Sequence, residues 1–440
     1  MSRATSLRTG AEVLEALQNQ PGGPQLLELA DGRDDVELVG GAVRDLLLGG
    51  IPRELDVVVG DDAAAFASEL RRRLDALAGR SSSERFSQSS SHERFRTALV
   101  WWDGNRIDVA TRRSERYPAP GALPEVTEGT PEEDLRRRDF TVNAIAVSLG
   151  GAHRGELRAV DGALEDLSAG RLQVLHDASF SDDPTRLFRL ARYRARLGFA
   201  IEEHTAGLAA AAVAEDALAT VSRARVGAEL RLALGEADAV AALTALDDLG
   251  VLAALHPQLR FDAELARDAL ALLALTEGGT GPELRPDLLL VAVALQSLAA
   301  DILAEGVERD LYTLLDGWEF PAVERDLVLR AAIAAEVLAD ELGYAEDGSD
   351  IYEAVSGEPL EGVALAGAWA GPLSNAGFAA DRWLRELHSV RLRITGEDLL
   401  AAGIPEGPEI GRKLDATLAR KLDGELADGR DAELRAALEA

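Results

Sequence analysis

Two acids, Glu54 and Asp56, stand two residues apart at the head of an apolar run, and a third, Asp108, lies between Ile107 and Val109 in another. Side chains alternate along a strand, so residues 54 and 56 share one face. An acid flanked by two β-branched residues faces away from the core they enter. If the two strands are neighbours, the three carboxylates converge. A set of hard oxygen donors suits Mg2+, which would hold a leaving triphosphate and lower the pKa of an attacking hydroxyl. Taken singly, each acid reads equally well as a solvated charge at a strand end. The chain has no cysteine, which excludes disulfides and thiolate metal sites.

A phosphate cradle lies just upstream. In ELVGGAVRDLLLGGIPRELDVVV (37–59) an apolar run stops at Gly40 and Gly41, and an amphipathic helix carrying Arg44 and Asp45 follows at once. A strand–Gly-Gly–helix turn exposes backbone N–H groups at the positive end of a helix, where a phosphate can sit; a buried tight turn is the alternative. Next comes DLRRRDFTVNAIA (134–146), with Arg137, Arg138, Asp139 and Asn143 placed before and inside an apolar segment. Arginines there can clamp phosphates, and Asp139 can orient one of them or a ribose hydroxyl; the alternative is a charged helix start. In SFSDDPTRLFRLARYRARLGF (179–199), Asp182 or Asp183 is expected to cap a helix with Pro184 in its first turn and Gly198 as its stop. Arg186, Arg189, Arg192 and Arg196 fall three and four apart, on one stripe. Asp183 and Arg186 can offer one acceptor and one donor to a base edge while the next arginines reach phosphates. The alternative is a solvated basic face.

The elements that must carry these residues change along the chain. Up to about 150, strand and helix signals mix: strands at 36–39 and 56–59, a helix at 61–77, and a hairpin of 98–102 and 106–110 turning at Asp103-Gly104-Asn105. The stretch 112–130, rich in Pro, Gly and charge, reads as a long loop. From about 177 the pattern is helical, with breaks near Gly198, Gly235, Gly250, 277–286, Gly317, 345–350 and 371–377, and without a repeat period. The net charge of −31 argues against a nonspecific nucleic-acid binder and against DNA as a partner. Most of the acid excess lies beyond residue 230, and only Lys413 and Lys421 are lysines. Nucleic-acid contacts are therefore expected on arginine clusters in the first half. The N-terminus has no apolar signal region, and 288–298 is too short to span a bilayer, so no membrane and a cytoplasmic location are expected.

Taken in order, these segments resemble the class II tRNA nucleotidyltransferase (CCA-adding) and bacterial poly(A) polymerase family, within the polymerase β-like nucleotidyltransferases. GGAVRDLLLG is similar to its first motif, the acids at 54 and 56 to its metal pair, SHERFRTALV (91–100), IDVAT and RRDFTVNAIA to the rest of its head, and DDPTRLFRLARYRARLGF to its base-selecting EDxxR motif. SRARVGAEL (222–230) and 394–414 continue the likeness more weakly. The resemblance implies an α+β chain: a catalytic head with a mixed sheet at 1–150, an all-α neck for nucleobase selection at 151–230, and an all-α body and tail for tRNA at 231–440. It implies transfer of CMP and AMP from CTP and ATP to the tRNA 3′ end. Gly41 and Arg44 would hold the triphosphate. Glu54 and Asp56 would bind Mg2+, with Asp108 the third catalytic acid. Arg137, Asp139 and Asn143 would contact the nucleotide. Asp183 and Arg186 would read the base, and Arg189 and Arg192 would support the phosphates.

The chain departs from the family pattern in Glu54 where Asp is usual, in Asp182 where Glu is usual, in Ala224 where Glu is common, and in a very acidic helical half. No phosphoesterase or regulatory segment precedes the head, which speaks against the longer A-adding architecture, yet 111–133 with RYPAPGALPEV is similar to the loop of A-only members. An A-adding enzyme and a poly(A) polymerase are the enzymatic alternatives, the latter disfavoured by an acidic tail at 412–440. A nucleotide- or RNA-binding protein impaired by Glu54 is the non-enzymatic one.

Overall fold

A computed structural model describes residues 5–77, 89–92, 96–276, 283–301 and 307–440. The chain forms two compact units, Met1–Ser222 and Arg223–Ala440. The first is built on a mixed seven-stranded sheet and the second on helices, as expected for an α+β chain, but the expected all-α neck at 151–230 is corrected: it holds the strands Leu157–Ala159, Arg171–Leu172 and Ala200–Ile201, the first of them an edge of the sheet.

In the first unit, helices α1 (Gly10–Gln18) and α2 (Gly23–Ala30) precede β1 (Glu37–Val39), α3 (Gly41–Leu47), β2 (Leu55–Val59) and α4 (Ala63–Leu77). Strands β3 (Ser89–His92), β4 (Thr97–Trp102) and β5 (Asn105–Thr111) follow. After β6 (Arg113–Arg116), β7 (Glu125–Glu128) and α5 (Pro131–Arg136) come β8 (Ile145–Ser148), β9 (Leu157–Ala159) and α6 (Ala163–Ala169). The sheet runs β3-β4-β5-β2-β1-β8-β9. Only β2 and β5 are parallel neighbours; the other pairs are antiparallel. The β4–β5 hairpin turns on Asp103 (φ 43°) and Gly104 (φ 78°). Two consecutive positive φ angles match the right-handed twist of the flanking strands.

The central strand β2 shows why the acids end where they do. Its Leu55, Val57 and Val59 point to one face and Asp56 and Val58 to the other. On the second face Val58 packs with Val39, Ala146 and Leu135 of α5, with Ala110 of β5 against them. Helix α5 thus covers the C-terminal half of that face and leaves the half bearing Asp56 and Asp108. Its start is fixed by Thr130 and Glu133, which form a capping box around Pro131.

The stretch 112–130 is a correction to the sequence reading. It holds the antiparallel pair β6–β7 with Arg113 opposite Glu128 and Arg116 opposite Glu125. Both strands are polar on both faces, so they carry no apolar alternation to read. The tip docks inside the first unit: the N–H of Gly121 donates to the carbonyls of Ser181 (3.1 Å) and Asp182 (3.2 Å).

The remainder of this unit comprises β10 (Arg171–Leu172), α7 (Ser179–Asp182), α8 (Arg186–Leu197), β11 (Ala200–Ile201), parallel to β10, and α9 (Glu203–Ala214). Gly198 ends α8 in the left-handed conformation, as expected. The start differs: Thr185, with Pro184 before it, is the N-cap. The Asp183 carboxylate accepts from the N–H (3.1 Å) and hydroxyl (2.6 Å) of Thr185, and a tight turn closed by Arg186 N to the Asp183 carbonyl (3.0 Å) winds into the helix.

In the second unit, helices Ala263–Leu273, Pro286–Ala299, Ala322–Tyr344, Leu360–Ala370 and Asn375–Arg385 pack on one another around Leu288, Leu295, Ala335, Val363 and Leu384. The breaks at Gly235, Gly250, Gly317, 345–350 and 371–377 fall at helix ends. The break at 277–286 lies partly outside the described residues, as do residues 93–95 of SHERFRTALV.

Candidate nucleotide-binding and metal site

The parallel register sets Asp56 directly beside Asp108 on adjacent strands, with Glu54 one residue ahead of β2. The three acids do converge, and an arginine lies among them. Arg106 Nε is 2.7 Å from Asp108 Oδ1 and 3.4 Å from Glu54 Oε2. Burial, then the Glu54 charge, pushes the Asp56 carboxyl up to about 7; Asp108 adds to the shift, and Arg138 and Arg106 oppose it. Among the described residues no three acids or histidines close into a ligand cluster as they stand. The donor set is nonetheless all hard oxygen. Crowded carboxylates that resist ionising together gain from a cation placed between them. Glu54, Asp56 and Asp108 therefore fit a hard divalent cation.

Beside Asp56 lies the glycine turn. Gly40 has φ 69°, and a Cβ on it would stand 2.7 Å from Arg138 Nη1 and 3.7 Å from Asp56 Oδ2. Only glycine satisfies both the conformation and the approach. Arg138 and Arg137 come off the C-terminal end of α5, where its carbonyls favour positive charge. Both are anchored by Asp134, which is 2% exposed: its carboxylate accepts from Arg137 Nε and Arg138 Nη2, each at 3.0 Å. Arg137 also donates to Glu115 of β6 (2.9 Å), a residue that sequence reasoning did not single out.

A second chain of polar contacts links α3 to α8. Arg44, 1% exposed, donates through Nε to Asp45 (2.8 Å) and through Nη1 to Asn143 Oδ1 (2.6 Å). Asn143 Nδ2 donates to Asp139 Oδ1 (2.9 Å), and Asp139 Oδ2 accepts from Arg189 Nε (2.7 Å) and Nη2 (2.6 Å). Burial alone would raise the Asp139 carboxyl; the Arg189 charge and the bonds from Asn143 and Arg189 outweigh it and hold it at about 2. Arg186 is also buried, donating to Ser179 Oγ (2.7 Å) and to the Arg137 carbonyl (3.2 Å). The expected arginine stripe is therefore not a uniformly solvated face: Arg186 and Arg189 turn into the unit, and Arg192 stays half-buried. Tyr193, absent from the sequence reading, stands among them: Arg189 Nη2 donates to its hydroxyl (3.1 Å). Its position four after Arg189 and seven after Arg186 puts it on their side of the helix, which was the available signal.

The geometry sits in a chain whose residues 36–173 match the family model described as "Poly A polymerase head domain" and whose residues 198–262 match "Probable RNA and SrmB- binding site of polymerase A". The chain is similar to the A-adding tRNA nucleotidyltransferase of Geobacter sulfurreducens, 33% identical over 89% of this chain and 44% of that protein. It is similar to the multifunctional CCA protein of Thioalkalivibrio sulfidiphilus, 32% identical over 86% of this chain and 95% of that protein. Among solved structures, the Thermotoga maritima CCA-adding enzyme complexed with tRNA shares the fold with a TM-score of 0.77 and 27% identity, covering 98% of each chain. The chain spans about half the length of several curated relatives that it matches. A head model over the segments that carry Glu54, Asp56 and Asp108, and a relative matched over nearly its whole length, place this chain in the tRNA nucleotidyltransferase and poly(A) polymerase family.

Proposed function

We propose that this protein transfers CMP and AMP from CTP and ATP to the 3′ end of tRNA without a nucleic-acid template, completing or repairing CCA and releasing pyrophosphate. The observation that carries the reading is the pairing of Asp56 with Asp108 on adjacent parallel strands, next to Glu54 and the Gly40–Gly41 turn. Glu54 and Asp56 would hold Mg2+, which when bound would supply Lewis acidity to the triphosphate and to the attacking hydroxyl. Asp108 completes the carboxylate face. Arg44 and the Gly41 amide hold triphosphate oxygens. Arg137, Asp139 and Asn143 position the nucleotide. Asp183 and Arg186 read the Watson–Crick edge of cytosine or adenine, and Arg189 and Arg192 support the phosphates. In this reading 1–150 is the catalytic head, 151–230 the base-selecting neck, and 231–440 the part that holds tRNA. A cytoplasmic location is part of this reading; separately, among the described residues no helix is long and apolar enough to cross a membrane.

A-only addition is the second reading, favoured by similarity to A-adding tRNA nucleotidyltransferases, that of Geobacter sulfurreducens among them. One experiment separates the two. The full chain is incubated with Mg2+, labelled CTP or ATP, and tRNA ending before CCA or after CC. Three added nucleotides on the first substrate support CCA addition; extension of the second alone supports A addition. Long tails point to poly(A) synthesis, and no extension of either overturns the enzymatic reading.

A further inference from the structure

Tyr193 sits beside the second polar chain just described, and three guanidinium groups lie around its ring. Arg44 Cζ lies 5.3 Å from the ring centroid, Arg189 Cζ 5.6 Å and Arg196 Cζ 5.6 Å. Phe140, from the segment between α5 and β8, meets the ring edge-on, with centroids 5.7 Å apart and planes at 88°. The ring is thus clamped from the head side, and its π face attracts cations brought to it from α3 and α8. Arg44 comes from α3 and Arg189 from α8, and Asn143 and Asp139 join the same two side chains by hydrogen bonds.

We infer that Tyr193 is a positioning residue that holds the Arg44 guanidinium in its nucleotide-binding orientation and ties it to the base-reading helix α8. The inference rests on the functional reading above, which places Arg44 on the triphosphate. Tyr193 acts through Arg44, with no contact of its own to substrate or metal required. The ring face does the positioning, and the hydroxyl bond to Arg189 refines it.

The test compares Tyr193→Met, which keeps bulk without a π face, with Tyr193→Phe, which keeps the face without the hydroxyl. Tyr193→Leu serves as the second faceless variant if Tyr193→Met does not fold. Nucleotide dissociation constants are read by equilibrium dialysis of the full chain with ATP and with CTP, alongside KM and kcat for tRNA extension. Tyr193→Met is expected to weaken both nucleotides about tenfold with kcat changed less than about threefold, and Tyr193→Phe to stay within about threefold of the parent. In an Arg44→Ala background Tyr193→Met should add less than about twofold, because the residues act as one unit. Equal losses in the Met and Phe variants, or a Tyr193→Met effect that persists in full without Arg44, overturn the inference. A parent chain that binds nucleotides but extends no tRNA refutes the functional reading instead, and the dialysis still decides the role of Tyr193.

Discussion

The Asp139–Arg189 pair is the contact whose removal can be most fully anticipated. Asp139 is 7% exposed, and its carboxyl is held at about 2 against the 3.8 of an ordinary aspartate. Each unit of such a shift corresponds to about 1.4 kcal/mol, so the depression contributes roughly 2–3 kcal/mol at neutral pH. Arg189 is 36% exposed, which lets water screen its end of the pair and trims the figure to about 2 kcal/mol. Asp139→Asn keeps the shape and the acceptor for Asn143 but removes the charge. It should lower the local opening free energy of β8 and α8 by that amount, which is roughly thirtyfold faster amide exchange in peptides covering them at pH 7. The folded-state value lies below the unfolded one. The contribution is therefore complete above about pH 4 and is lost as pH falls through about 2. The gap between parent and variant should accordingly be full at pH 7 and closed near pH 2. Exchange within twofold of the parent at pH 7, or a gap that survives at pH 2, would show that Asp139 is not held by the arginine charge.

Three further outcomes are expected. Asp56→Ala should reduce nucleotide addition on the order of a hundredfold or more with the fold retained, because it removes a carboxylate from the face shared with Asp108; extension rates within a few-fold of the parent on a gel would refute the metal assignment. Asp183→Asn can keep its bonds to Thr185, so unfolding midpoints should hold while UTP and GTP misincorporation rises about tenfold or more; unaltered selectivity would leave Asp183 with its turn alone. Gly121→Ala combines a φ of 69° with a Cβ placed 2.1 Å from Thr220 Oγ1. It should cost about 1–3 kcal/mol and lift the β6–β7 tip from residues 181 and 182, seen as faster exchange across 113–128; unchanged protection there would mean that the tip docks by other contacts.

The site was legible where chemistry repeats at short range. The period-2 placement of residues 54 and 56, the acid between Ile107 and Val109, the glycine pair before Arg44 and the Gly198 stop all depend on neighbours a few positions away. The β6–β7 pair was not legible because its two strands hold one apolar residue between them, Val126, and so show no apolar alternation. RSER and EVTE hold together through a backbone ladder and a Ser114–Thr127 hydroxyl contact (2.8 Å), while Glu115 ties β6 to Arg137, a contact that spans 22 residues. The start of α8 was misplaced because Asp-Asp-Pro-Thr satisfies a capping pattern at more than one register. The Asp183 side chain turned to Thr185 instead.

Arg106 among the acids and Tyr193 among the arginines were out of reach for a different reason. Each has one partner nearby, Asp108 for Arg106 and Arg189 for Tyr193, but the partner that completes each cluster lies far away in sequence: Glu54 is 52 positions from Arg106, and Arg44 is 149 from Tyr193. Only the fold could pair them. Composition did carry one hint of how. The first unit contains arginine and no lysine. A guanidinium is a planar fork that can give two N–H bonds to one carboxylate while its flat face lies against an aromatic ring. Arg189 does this, with both Nε and Nη2 on Asp139 and its Cζ beside Tyr193. Arg44 does likewise, with Asp45 and Asn143 in its plane and the same ring beside it. A lysine ammonium offers a point charge without a face and could not take both contacts at once. The exclusive use of arginine across the first 222 residues is therefore consistent with a site whose positive charges are fixed in orientation before a nucleotide arrives.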